Sequence, residues 1–518
     1  MEASQFSNDD DYEIEDPIAE LAALEEEMAR RHFLLDPVAW NEIKLRDTLW
    51  SAQKRILEAV ATHRKTLIRS CHDVGKSFIA SRIAGWWIDT SPPGEAFAIT
   101  SAPSAHQVRT ILWREINRVH TKGKLGGRMN QTEWLLPVEG GKEELVAYGR
   151  KPDDFNPDAF QGIHAPRVLV IFDEGNGIRG PLWEAADSLI ANDQSKMVVI
   201  GNPDDPNGEF FENNKPGSGW HVIEIGAFET PNFTGEDIPA FIRGQLIGHT
   251  YVEDKRRKWA PKWFWIDRNG DPCLPQDGVR CIPPEGDSPT DTNPLWQSKI
   301  LGKFPEFADA GGLIPISWIL AAQARTLSPG LKNELGVDVG GGGDTSCIAH
   351  RRGGVVRVIR EDHNPDTMET CGNVIADMNK TGATLAKIDV IGIGRGVTDR
   401  ALELKKNVIG INVSSSPSEA GEEDFGNFRA ESWWRVRDLF ESGQIDLDPN
   451  DDDLAAELVE LRYKRSSSGK ILIESKDEAK RRGIPSPNRA DALMLAFCKP
   501  ISETPKKHGG VWGKRGDL

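Results

Sequence analysis

Four short apolar runs constrain this chain more than any other feature: TLIRS (66–70), AFAITSA (96–102), RVLVIFDE (167–174) and MVVIGNP (197–203). Each is continuous rather than alternating and is bounded by turn-forming residues. Such a run leaves no polar face for water, so it reads as a strand covered on both sides in a parallel sheet. Amphipathic stretches separate the runs. From about 45 to 205 the pattern predicts a doubly wound α/β domain. The first run leads into SCHDVGKS (70–77), and SFIASRIAGWWI (77–88) follows with apolar residues at helical spacing. Strand, tight turn and helix in this order point the first amides of a helix at an anion.

The chemistry of that turn is a phosphate loop for ATP. Gly75 allows close backbone approach, Lys76 reaches the β- and γ-phosphates, and the Ser77 hydroxyl holds Mg²⁺. Ser70 stands where the loop pattern has its first glycine, a position that normally exploits glycine's backbone freedom. The remaining parts of an ATPase follow in order. RVLVIFDE ends in Asp173-Glu174: an aspartate at the carboxyl end of a strand to hold the metal or its water, then a glutamate to polarise the attacking water. In sequence the strand AFAIT lies between the loop and the Asp-Glu strand, and an inserted strand with adjacent Asp and Glu is the plan of motor-type ATPases. Asn202, at the end of MVVI, is placed to sense the γ-phosphate, although an Asn-Pro turn would look the same. Upstream, Trp50 and Gln53 offer a stacking face and an amide to adenine; the bland alternative is a core tryptophan and a surface glutamine.

A second α/β pattern begins at NELGVDVGGGGDTSCIAH and ends at NRADALMLAFCKP. Asp338 ends an apolar strand, Asp389 ends another before a glycine-rich turn, and Asp491 lies in the first turn of an apolar helix. Each alone fits a strand-end turn or a helix cap. In this order they suit a two-metal nuclease, which needs carboxylates from distant positions converging on ions about 4 Å apart. An all-oxygen set of this kind selects Mg²⁺ or Mn²⁺. Asp344 is a reserve ligand across the glycine loop. DVGGGGDTS also resembles the phosphate cradle of sugar kinases, but its matching second loop is absent from the sequence.

Net charge is −17, which argues against a protein that coats nucleic acid through a basic domain but does not exclude one that grips DNA locally and transiently. Basic clusters stand at Lys255-Arg256-Arg257-Lys258 and Lys480-Arg481-Arg482, either contact points or solvated helix faces. No apolar run reaches the roughly 18 residues that span a bilayer, so no membrane is expected. The six cysteines lack zinc spacing and read as reduced thiols. The pattern divides the chain into an acidic arm with a short helix (1–40), an ATPase domain (41–225), an irregular subdomain and connector (226–325), a nuclease domain (326–500) and a basic tail (501–518).

Taken together, SCHDVGKS, TSAPSAHQVRTILWREI, DAFQGIHAPRVLVIFDEGNGI and VVIGNPDDPNGEFFE, then LGKFPEF, GVDVGGGGDTS, IDVIGIGRGVTDR, NFRAESWWRVRDLF and SPNRADALMLAF, resemble the motifs of the large terminase subunit of tailed bacteriophages, from about 40 to 500. The resemblance implies a P-loop motor (ASCE) ATPase joined to a ribonuclease H-like nuclease. It implies ATP-driven packaging of double-stranded DNA into a procapsid and cutting of the concatemer, in the host cytoplasm. It also implies a portal protein and a small terminase subunit as partners, with a homo-oligomeric ring when docked and a monomer in solution. Two departures stand out. Many members carry an arginine in the phosphate loop where His72 stands here, leaving Arg69, Arg109 and Arg150 as candidates for that charge. Where similar sequences often have aspartate, this chain has Asn488, with Asp491 one turn further on. The alternatives are a helicase or remodelling nuclease unrelated to capsids, and a non-catalytic assembly protein that docks on a portal.

Overall fold

The structure, a computed structural model, describes residues 17–92, 94–138, 141–151, 165–206, 208–276, 278–287, 292–305, 312–341, 344–466, 469–481 and 484–500. Residues 1–16 of the acidic arm and the basic tail lie outside this set. The chain divides into two units, Met1–Glu306 and Phe307–Leu518. All six cysteines are free thiols. Among the described residues no helix is long and apolar enough to cross a membrane.

The first unit is built on an eight-stranded sheet among the described residues. Its strands are β1 (Lys65–Ser70), β2 (Ala96–Ser101), β3 (Arg128–Asn130), β4 (Glu133–Pro137), β5 (Glu143–Gly149), β6 (Arg167–Asp173), β7 (Lys196–Gly201) and β8 (His221–Ile225). Their order is β3-β4-β5-β2-β6-β7-β1-β8. All four apolar runs are parallel strands, as their composition requires. β8 adds to β1 in parallel, while β3 and β4 form an antiparallel extension. The strand inserted between the phosphate-loop strand and the Asp-Glu strand is β7, not AFAIT. β2 lies on the far side of β6. Sequence order and spatial order differ because each crossover through a helix can step past a neighbour. Register brings the carboxyl ends level: Arg69 lies opposite Gly201, and Asp173 opposite Ile200. Leu67, Val170, Phe172, Val199 and Trp183 form part of the buried core on the sheet.

After β8 the first unit continues with the helix His249–Trp259, a two-stranded ribbon of β9 (Phe264–Ile266) and β10 (Arg280–Ile282), and a π-helical turn, Trp296–Ile300. The helix Pro17–Leu35 precedes the sheet, and the Trp86 indole donates to the Phe33 carbonyl at 2.7 Å. The arm's helix therefore packs on the phosphate-loop helix.

The second unit holds a five-stranded sheet among its described residues. It comprises β11 (Asn333–Asp338), β12 (Ser346–Arg352), β13 (Val355–Asp362), β14 (Leu385–Asp389) and β15 (Val408–Ile411) in the order β13-β12-β11-β14-β15. β11–β12 and β12–β13 are antiparallel; β11–β14 and β14–β15 are parallel. This is the ribonuclease H-like order. The helix Asn488–Phe497 lies across β11 so closely that a Cβ on Gly336 would stand 2.1 Å from the Ala492 carbonyl oxygen.

Candidate active sites

In the first unit the phosphate loop runs from the end of β1 to the helix Lys76–Asp89, with Gly75 at φ +82° as its N-cap. Only glycine adopts that conformation without strain. Ser70, in contrast, is the last residue of β1 and fully buried. Its backbone is extended, so a serine costs nothing where the loop pattern has glycine. The left-handed turn falls instead on Asp73, φ +48°, a residue type that tolerates it.

The predicted residues meet here. The Lys76 ammonium donates to Asn202 Oδ1 at 2.9 Å and stands 3.9 Å from Glu174 Oε1. Asn202 Nδ2 donates to the Ser70 carbonyl at 2.8 Å. The Ser77 hydroxyl donates to Asp173 Oδ2 at 2.8 Å. Gln53 is buried, and its Nε2 would lie 3.1 Å from a Cβ on Gly75, so its amide flanks the loop. Trp50 is 1% exposed and belongs to the core, which removes it as a stacking face for adenine. Glu174 has φ +55°. A glutamate there is strained, and such strain gathers at sites that need a side chain re-aimed. Burial, then the neighbouring Glu174, pushes the Asp173 carboxyl up to about 6, against the pull of the Ser77 hydroxyl and Lys76. Asp173 Oδ1 is buried without a hydrogen-bond partner. A buried, orphaned carboxylate oxygen beside a hydroxyl at a helix N-terminus fits a hard cation bound with a phosphate group.

Of the three arginines proposed for the missing charge, Arg69 is committed elsewhere. It donates to Asn214 Oδ1 at 2.9 Å and the Gly302 carbonyl at 2.6 Å, and it pairs with Glu224. Arg109 and Arg150 are exposed.

In the second unit, Asp338 ends β11 and Asp389 ends β14, two neighbouring parallel strands. Asp491 faces them from the helix packed on Gly336. The cation that joins them was not anticipated: the Lys476 ammonium lies 3.2 Å from Asp491 Oδ2 and 3.8 Å from Asp338 Oδ2. Arg429 reaches Asp491 Oδ1 at 3.4 Å. Burial, then the charge of Asp491, lifts Asp338 up to about 8, with Lys476 opposing. Burial pulls Lys476 down, but Asp491 and Asp338 outweigh it and hold its ammonium above the ordinary value. Asp389 is raised, chiefly by burial, and its Oδ1 also accepts the Ile391 N–H at 3.0 Å, the strand-end turn that was its bland reading.

Asn488 is buried and its Oδ1 has no partner, whereas Asp344 accepts from the Ser486 hydroxyl at 3.1 Å. With the side chains as they stand, no three His, Cys, Asp or Glu residues among those described form a metal cage. Asp338 and Asp491 share an ammonium instead. Two carboxyls from different elements, one with its pKa raised, and an orphaned amide oxygen nearby form a donor set that a divalent ion suits. The sequence did signal where Lys476 falls. Ser475 and Glu478 form a capping box that starts a helix at Lys476, but nothing in it says which neighbour that helix meets.

Fold and sites define a two-part α/β protein: a phosphate-loop domain with an inserted strand, followed by a domain of ribonuclease H-like strand order with a carboxylate cluster. Comparison with protein-family models and with curated proteins finds no match. Among solved structures, the large terminase of a thermophilic bacteriophage resembles the chain at 12% identity and TM-score 0.36, covering 90% of this chain and 97% of that one. The same terminase in complex with ADP gives 11% identity and TM-score 0.36, covering 90% and 98%. The nuclease domain of the large terminase subunit of bacterial virus Sf6 gives 24% identity and TM-score 0.33, covering 37% of this chain and 100% of that one.

Proposed function

We propose that this chain is an ATP-driven DNA-packaging motor and metal-dependent endonuclease of the large-terminase type. The observation that carries the reading is the pair of sites in one polypeptide: Lys76, Ser77, Asp173, Glu174 and Asn202 in the first unit, and Asp338, Asp389 and Asp491 in the second.

In the first site Ser77 and Asp173 would hold Mg²⁺, which would supply charge to neutralise the phosphates. Lys76 binds the terminal phosphates, and Glu174 takes the proton of the attacking water. Lys76 is tied to Asn202 and close to Glu174. A triphosphate that took up the ammonium would release both, and Asn202 is coupled to the end of β1 through the Ser70 carbonyl. In the second site Asp338, Asp389 and Asp491 would hold Mg²⁺ or Mn²⁺, which would supply water activation and stabilisation of the leaving oxygen of a phosphodiester. Lys476 and Arg429 orient Asp491. Asn488 supplies a neutral oxygen where a fourth carboxylate would add charge.

The partners that fit are double-stranded DNA, a portal protein, a small terminase subunit and further copies in a ring, working in the host cytoplasm. DNA affinity should fall steeply with salt, because phosphate contacts dominate it. Lys76→Ala in the full chain should abolish ATP hydrolysis and spare Mn²⁺-dependent plasmid nicking, and Asp338→Ala should do the reverse. Loss of both activities in both variants, with the fold intact, would refute the division.

A further inference from the structure

The turn that follows Asp389 exposes apolar side chains to water. It reads Val390-Ile391-Gly392-Ile393 and joins β14 to the helix Gly394–Glu403. Ile391 is 46% exposed and Ile393 38% exposed. A single exposed isoleucine needs no explanation. Two on one turn, beside a member of the carboxylate cluster, form a small apolar patch at the place where a substrate would be cut.

The turn is fixed to that cluster. The Ile391 N–H donates to Asp389 Oδ1 at 3.0 Å. Gly392 takes φ +69°, which costs glycine little. Gly394 is buried, and a Cβ there would stand 1.9 Å from the Asp389 carbonyl oxygen and 3.4 Å from the Cβ of Val339, the residue after Asp338. The Gly396 N–H donates to the Ile393 carbonyl at 3.1 Å, and the Thr398 hydroxyl to the Gly394 carbonyl at 3.0 Å. The two isoleucines thus stand on a tight base laid over the ends of β11 and β14, the strands that present Asp338 and Asp389. Branching at Cβ restricts χ1 and stiffens each side chain further.

A duplex with a phosphate at these carboxylates lies against the turn that adjoins them. Stiff apolar side chains held against duplex DNA have a known use: they enter the minor groove, wedge between two base pairs and kink the helix. Arg395, exposed in the first turn of the helix, adds a cation to the same surface, suited to a flanking phosphate.

We propose that Ile391 and Ile393 form an apolar wedge that enters the minor groove of duplex DNA beside the phosphate to be cut and partly unstacks one base step. The inference rests on the nuclease reading above and deepens it. The site then selects DNA by how easily a step opens, without a hydrogen bond to any base. Pyrimidine–purine steps are the most easily unstacked, so cuts gather there.

The test uses the full chain with Mn²⁺. Two duplexes of one sequence are compared, one fully paired and one mismatched at a step mapped from wild-type cuts in plasmid DNA. A mismatch removes much of the unstacking cost. Ile391→Ser/Ile393→Ser should cut the paired duplex about tenfold more slowly than wild type and the mismatched one within about threefold of it. Its calorimetric Mn²⁺ affinity should stay within about threefold, since serine keeps the backbone bonds that orient Asp389. If the double variant melts below the assay temperature, Ile391→Ser and Ile393→Ser are read singly in the same way. Equal slowing on both duplexes, or no slowing on the paired one, overturns the proposal alone. So does loss of Mn²⁺ affinity, which would make the isoleucines mere supports of Asp389. Wild-type protein that cuts no DNA overturns the nuclease reading and this inference with it.

Discussion

Gly336→Ala tests how the second unit holds its carboxylates together. A Cβ at residue 336 would lie 2.1 Å from the Ala492 oxygen, 2.2 Å from the Ala496 nitrogen and 2.9 Å from the Ala496 Cα. All three are backbone atoms of the helix Asn488–Phe497, so no rotamer change relieves them. Ordinary contact begins near 3.4 Å, so the helix must retreat from β11 by roughly 1.3 Å. Overpacking a well-packed site costs about 1–3 kcal/mol, and a clash with rigid backbone belongs at the upper end. For a unit of this size, about 3 kcal/mol lowers the melting temperature by about 6–12 °C. The catalytic effect should be larger than the thermal one. Asp491 is one residue from the contact and Asp338 is two residues along the strand, so the retreat parts the ligands, and a misplacement of about 1 Å can cost about a hundredfold in rate. The assays are calorimetric melting and Mn²⁺-dependent nicking of supercoiled plasmid. The control is Gly372→Ala in the helix Thr367–Thr381, where a Cβ meets nothing within 4 Å; replacing a helical glycine there should add up to about 1 kcal/mol. If the two alanine variants melt and nick alike, the helix is not seated on Gly336 as described.

Two further outcomes follow from buried and paired charges. Lys387, 2% exposed, donates to Glu334 at 2.7 Å and to the carbonyls of Ala496 and Cys498 at 3.0 and 2.8 Å. Lys387→Met should cost about 3–5 kcal/mol by stranding these acceptors, read as a lower urea midpoint, and adding Glu334→Leu should recover part of it. Glu253 accepts from Arg256, Trp265 and Arg257, and the Arg256 hydrogen bond above all holds its carboxyl down at about 2. A depressed carboxyl stabilises the fold above its unfolded pKa and loses that effect as pH falls through the folded one. Glu253→Gln should therefore melt lower than wild type at neutral pH, with the gap closing between about pH 4.5 and pH 2.

The strands of the first unit were legible because they are buried on both faces, which leaves only apolar residues between punctuating glycines and polar ends. Their neighbours were not. β3 is exposed and β4 only partly buried, so neither carries a continuous apolar run, and β8 reads HVIEI, a weak alternation at the sheet edge. Spatial order was hidden for a different reason: nothing in AFAIT or MVVI says which of them crosses back beside β1. The basic run at 255–258 misled in part. Lys255 is buried, covered by Tyr251 and Trp259 at i−4 and i+4, a spacing that puts both rings on its side of the helix.

The acids and the cations of the two sites differ in how far sequence reveals them. A carboxylate at the end of an apolar strand is placed by the strand itself, so Asp173, Asp338 and Asp389 could be read from a short window, and so could Asp491 at the start of an apolar helix. Lys76 could be read from the loop itself, but the cation of the second site is placed by tertiary packing alone. Lys476 reaches Asp338 and Asp491 from a helix whose own sequence shows only a capping box. The acids decide what kind of ion each site takes, and the cations decide when it is taken. Asp338 stays lifted up to about 8 even with the Lys476 ammonium 3.8 Å away. Lys476 lies between Asp338 and Asp491, so a divalent ion held by these two carboxylates would compete with a tethered ammonium. Removing the ammonium with Lys476→Met should therefore tighten Mn²⁺ binding, read by calorimetric titration. Weaker binding in that variant would refute the competition and leave the lysine with the orientation of Asp491 alone.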